Sequence, residues 1–349
     1  MGFLMAPTTL PGKWASPSFR RFFIALASCL LMGKQPKSIH QASGDPLLQV
    51  KGSCASLRLG GVRSYSVLSN DQLRINGVKD VIAVASGKGG VGKSTTAVNL
   101  AVALANKCGL KVGVLDADVY GPSVPTMMNI HQKPEVNNDM KMIPIENYGV
   151  KCMSMGFLVD KDAPIVWRGP MVMSALQKMS REVAWGVLDI LVVDMPPGTG
   201  DAQLTMSQKL QLSGALIVST PQDVALIDAR RGVRMFSKVQ VPILGLIENM
   251  SCFKCPHCGE PSFIFGAGGA RKTAAEMGLQ LVGELLIFKA ANLYDPLPIP
   301  SQIPIELDIR KGCDKGMPIV VSAPDSAVSK AYHDVAQTVV MRLEDLAKA

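Results

Sequence analysis

The chain has 349 residues, 48% of them hydrophobic, which is enough for one large domain or two small ones with a substantial core. Its formal charge of +8 sits almost wholly in residues 1–70, where Lys13, Arg20, Arg21, Lys34, Lys37, Lys51, Arg58 and Arg63 face Asp45 alone, a local balance of +7. Binding to nucleic acid by counterion release needs positive charge clustered on the folded part of a protein, and the remaining +1 does not supply it, so no nucleic-acid partner is expected.

Residues 1–70 are also rich in Ser, Gly, Pro and apolar residues without a helical or strand period, the pattern of a cleaved organellar presequence. The apolar run 22–32 behind Arg20 and Arg21 is too short to span a bilayer, so no stable membrane anchor is expected there. Arg63-Ser64-Tyr65-Ser66 resembles the site cut by the mitochondrial matrix processing protease. The expected division is therefore a presequence over 1–65 and a folded domain over 66–349, located in the mitochondrial matrix. Eight cysteines, at 29, 54, 108, 152, 252, 255, 258 and 313, are too few and too unevenly spaced for a disulfide framework.

From residue 80 onward, continuous apolar runs at 81–85, 112–115, 188–193, 215–218 and 243–247 read as strands buried on both faces. They alternate with segments of helical length, beginning with 94–107, and that alternation predicts one doubly wound α/β domain with a mostly parallel sheet. Between the first strand and the first helix lies Gly87-Lys88-Gly89-Gly90-Val91-Gly92-Lys93-Ser94-Thr95, a phosphate-binding P-loop in its required strand-to-helix context. Glycines let backbone N–H groups converge on phosphate, the helix N-terminus adds its dipole, Lys93 neutralises the β/γ charge of ATP, and the Ser94 hydroxyl is suited to Mg²⁺. Asp116 and Asp118 close the second strand, and Asp194 closes the third apolar run before Met195-Pro196-Pro197-Gly198-Thr199-Gly200-Asp201. Asp194 fits a Walker B acid that holds Mg²⁺ through water and leads into a switch loop. Taken singly, each strand-end Asp could equally be a cap or turn former.

Cys255-Pro256-His257-Cys258 is a C-x-x-C pair, extended by Cys252. Two thiolates can share a metal, but a structural Zn²⁺ or a cubane cluster takes four ligands, which two copies of the chain would supply. The spacing alone leaves a bridging [4Fe–4S] cluster, a zinc site and a redox dithiol open.

The second lysine of the loop, Lys88, resembles the signature of the deviant-Walker ATPases, the class of the nitrogenase iron protein, MinD and ParA. Further runs, Asp-Ala-Asp-Val-Tyr-Gly-Pro-Ser (116–123), Met-Ser-Met-Gly-Phe-Leu (153–158), Trp-Arg-Gly-Pro-Met (167–171), Asp-Met-Pro-Pro-Gly-Thr-Gly-Asp (194–201), Ser-Thr-Pro-Gln-Asp (219–223) and Glu-Asn-Met-Ser (248–251), resemble the Mrp/ApbC family of iron–sulfur carrier ATPases. The resemblance covers about residues 75–349 and is nearest to its mitochondrial branch in a plant form. It implies a homodimer in which Lys88 reaches the partner's nucleotide, Asp118 orients the attacking water, Asn249 reads adenine, and Cys255 and Cys258 hold a [4Fe–4S] cluster. The cluster would pass to apo-proteins, by resemblance the subunits of respiratory complex I, with slow ATP turnover. A positioning ATPase of the MinD/ParA sort, an electron-transfer reductase and a non-catalytic scaffold are the rival readings. One departure from the family is an apparent insertion over 285–302, either a tolerated loop or, the favoured reading, translated intron sequence. At the C-terminus, residues 326–348 read as a helix with Ala331, Val335, Val339, Leu343 and Leu346 along one stripe. Its mixed charge favours packing on the core over lying on a membrane.

Overall fold

Strand β1 (Val78–Ala85) lies at the centre of the sheet, between β5 (Leu188–Asp194) and β6 (Gly214–Ser219), and pairs parallel with both. The computed structural model describes residues 74–118, 121–157, 169–255, 257–279 and 302–348, all within one unit, Tyr65–Ala349. The presequence with its cleavage site, and all of the insertion except Gln302, lie outside the described residues.

Beyond β5 the sheet continues through β2 (Val112–Asp116) and β4 (Val150–Ser154), both parallel, to β3 (Ile145–Asn147), which is antiparallel. On the other side β6 pairs with β7 (Ile243–Lys254), which carries the short antiparallel β8 (Pro261–Ser262) and the parallel β9 (Gln302–Ile305). The central strands are apolar almost throughout because both of their faces are covered.

Helix α1 (Lys93–Cys108) connects β1 leftward to β2, whereas the helix following β6 connects rightward to β7. Right-handed crossovers running in opposite directions place their helices on opposite faces of the sheet. Accordingly α1 packs with α8 (Ile319–Ser322) and α9 (Ala327–Lys348). A second layer joins α3 (Gly169–Arg181), α4 (Asp201–Lys209), α5 (Asp223–Lys238) and α6 (Gly269–Glu276) in sequence. Two further helices, α2 (Val124–Met127) and α7 (Leu307–Lys315), meet each other beside the sheet.

The doubly wound expectation holds, and so does the C-terminal helix. Ala331, Val335, Val339 and Leu343 are buried against the core, while Leu346 at the frayed end is exposed. Among the described residues no helix is long and apolar enough to cross a membrane.

Candidate functional site

The register of the sheet assembles the nucleotide site. Asp116 pairs with Asp194 across β2 and β5, and Val84 pairs with Asp194 across β1 and β5. Both acids therefore stand level with the start of the P-loop, at the carboxyl edge where α/β sheets bind ligands. Gly90 and Gly92 take φ values of 80° and 83°, left-handed backbone that a side chain would strain. A Cβ on Gly87 would meet the backbone of Asp228 in α5, so the loop can pass that helix only without one. Gly89 and Gly90 face open space, and Lys88 at the tip is exposed, making no ion pair among the described residues.

Lys93 is buried with its Nζ 2.7 Å from Asp194 Oδ1, 3.4 Å from Asp118 Oδ2 and 3.1 Å from Ser94 Oγ. The loop lysine thus lies among the acids as their counter-ion. Burial pushes the Asp194 carboxyl above its ordinary range, with Lys93 opposing. The outer oxygens, Asp194 Oδ2 and Asp118 Oδ1, are buried without a hydrogen-bond partner. Two orphaned carboxylate oxygens beside the Ser94 hydroxyl are a hard-oxygen donor set of the kind Mg²⁺ takes, so these residues fit the ion.

Asp116 is differently placed. Its oxygens accept hydrogen bonds from Ser154 Oγ (2.9 Å) and the backbone N–H groups of Asp118, Ser123 and Val124 (3.1–3.2 Å). It ties the chain leaving β2 to the end of β4. Burial, with Asp194 adding repulsion, pushes its carboxyl up to about 7. Ser154 was not singled out as a site residue, although Met-Ser-Met carries it.

Asn249 sits on β7, where its Nδ2 donates to Val91 O at 2.8 Å. A methyl group on Gly92 would run into that same Nδ2. The asparagine thus braces the P-loop backbone from the side. Thr95, at the start of α1, donates to Met127 Sδ (3.9 Å) and accepts from Cys313 Sγ (3.8 Å).

Past Glu248 the strand β7 runs beyond its pairing with β6 and ends in a hairpin with β8. The turn holds Cys255 and Cys258, closed by Cys255 N–H to Glu260 O (3.0 Å) and Gly259 N–H to Cys255 O (2.9 Å). The backbone N–H groups of Cys258 and His257, with the Cys258 thiol, hold the Cys255 thiol below its ordinary range. Such N–H donors stabilise a thiolate, the form that binds metal. Cys255 is half-buried and Cys258 exposed. Among the described residues no three His, Cys, Asp or Glu side chains are grouped to hold a metal.

A family model described as ParA: NUBPL iron-transfer P-loop NTPase matches residues 77–340. The chain is 71% identical over 275 residues to the Arabidopsis thaliana iron-sulfur protein required for NADH dehydrogenase, mitochondrial, covering 79% of this chain and 82% of that one. It is 55% identical over 274 residues to the Mus musculus iron-sulfur cluster transfer protein NUBPL, covering 78% and 80% respectively. Among solved structures, the ADP complex of an Archaeoglobus fulgidus nucleotide-binding protein superposes with TM-score 0.60 at 35% identity, covering 74% of this chain and 94% of that one.

Proposed function

Because the chain belongs to the NUBPL family of ParA-type P-loop NTPases, we propose that it is an ATP-dependent iron–sulfur cluster carrier. In this reading two copies hold one [4Fe–4S] cluster between their Cys255 and Cys258 side chains and pass it to apo-proteins of respiratory complex I in the mitochondrial matrix. The observation that carries it is the thiol pair, Cys258 exposed and Cys255 half-buried with its thiol lowered by neighbouring N–H groups, in a turn on the sheet edge that also bears the nucleotide loop. One chain offers two ligands where a cubane takes four, so the site is incomplete without a second copy. Exposed Phe263 and Ile264, directly after the hairpin, are apolar surface available to such a partner.

At the nucleotide site, the amides of residues 88–94 would cradle the phosphates of ATP, with Thr95 next in line. Ser94 and Asp194 would hold Mg²⁺, which on binding would neutralise charge on the β- and γ-phosphates. Lys93 would leave Asp194 for the phosphates. Asp118, its Oδ1 unpartnered, would then orient the attacking water, and Lys88 would reach the partner's nucleotide. In this reading the reaction is a slow hydrolysis that serves as a marker of state.

The test is iron and acid-labile sulfide per dimer after anaerobic reconstitution, beside a Cys255→Ser/Cys258→Ser double variant. Four of each per dimer are expected in the unaltered protein and none in the variant. Zinc in their place, or equal iron in both proteins, would end the carrier reading and bring the positioning ATPase forward.

A further inference from the structure

Strand β7 touches both halves of the molecule's chemistry. At Asn249 it is bonded to the P-loop through Val91 O, and at its far end, six residues on, it becomes the cysteine turn. Six extended residues span roughly 20 Å. Between the two stands Met250, a non-glycine residue at φ 57°, in the left-handed region that costs a side chain about 1 kcal/mol or more. The pairing of β7 with β9 slips its register over the same stretch, between Asn249 and Phe253. The Met250 side chain also reaches the P-loop, its Cε lying 3.9 Å from where a Gly92 Cβ would be. Support from β6 ends just before, at Ser219 against Glu248. The kink is therefore held by the P-loop on one side, and the segment beyond it is no longer paired with β6 but with β8 and, at Phe253, with β9.

We infer that Asn249 and Met250 form the coupling element that reports the state of the P-loop to the Cys255/Cys258 turn. Lys93 must quit Asp194 when phosphate enters, and its neighbours Val91 and Gly92 are the two residues Asn249 braces. Moving them removes what holds Met250 left-handed, and the strand beyond relaxes toward regular extension. Because side chains alternate along a strand, a change at the bulge re-aims the residues that follow it. This route runs through β7 and is separate from the switch loop after Asp194. It rests on the carrier reading only for what the thiols bind, since the coupling is read from the thiols themselves.

The experiment measures the alkylation rate of Cys255 and Cys258 in the full chain, reduced and free of iron, by mass spectrometry, with and without a non-hydrolysable ATP analogue and Mg²⁺. In the unaltered protein the analogue should change the rate at least threefold. In Met250→Gly, where either backbone form is accessible without strain, that ratio should fall toward one while analogue affinity stays within about twofold. Asn249→Ala should lose the ratio as well at saturating analogue. Rates that ignore the analogue in the unaltered protein, or a Met250→Gly variant that keeps the full ratio, would overturn the coupling. Neither result touches the iron and sulfide analysis, so the two ideas fail separately.

Discussion

Replacing Lys93 by Met keeps the length of the side chain and removes the cation on which the buried acids depend. Lys93 Nζ lies 2.7 Å from Asp194 and 3.4 Å from Asp118, and Asp116 is the register neighbour of Asp194. Removing one partner of a buried pair costs about 3–5 kcal/mol, because a charge is left buried without compensation. At about 2–4 °C per kcal/mol in a domain of this size, the melting temperature should fall by roughly 6–20 °C near pH 8. The cost should depend on pH with a definite sign. Burial already raises the Asp194 carboxyl, and without Lys93 to oppose it the folded-state value rises further. A folded pKa above the unfolded value means that the folded protein binds the proton more tightly, so stability is lost as pH rises through that window and recovered on acidification. Thermal melts of both proteins at pH 5, 6, 7 and 8, in chelator and without nucleotide, should show a gap that widens with pH. A gap that is the same at every pH, or a variant as stable as the unaltered protein at pH 8, would refute the account of Lys93 as counter-ion.

The unaltered protein should show a milder form of the same trend. Asp116, raised to about 7, makes the nucleotide-free form lose stability from about pH 4 up to about pH 7, and urea titrations across that range check it. Asp194→Asn should abolish the tightening of ATP binding by Mg²⁺, read by fluorescent-nucleotide titration with and without the ion, while binding without Mg²⁺ survives. Lys88→Ala, at an exposed tip, should leave the melting temperature within about 1 °C, since surface changes stay within about 0.5 kcal/mol. Its phosphate release should fall about 10³-fold if Lys88 acts as a finger in the partner's site. Gly113→Ala would bring a Cβ to 2.8–2.9 Å from Leu188, Leu191 and Trp185 in the closed core, and should cost about 1–3 kcal/mol by urea unfolding.

The sequence by itself determined the central strands, the glycine loop and the acids at the strand ends, because both-face burial and phosphate geometry demand particular residue types at particular spacings. Val81 to Ala85 and Leu188 to Val193 can hardly be anything but buried strands, and a run with Gly90, Gly92 and Lys93 between strand and helix is specific to phosphate. It did not mark β3, β4, β8 or β9, which are two to five residues long and carry no period to read. Only the tertiary structure separated the surroundings of the acids. Asp116 and Asp118 are two residues apart and look alike in sequence, yet one is consumed by Ser154 and three backbone amides while the other keeps a bare oxygen beside Lys93. The same holds for Asn249, whose grip on Val91 joins residues 158 positions apart. Residue type and spacing reflect local geometry, whereas hydrogen-bond partners are set by which strands the sheet brings side by side, and that order is a property of the whole chain.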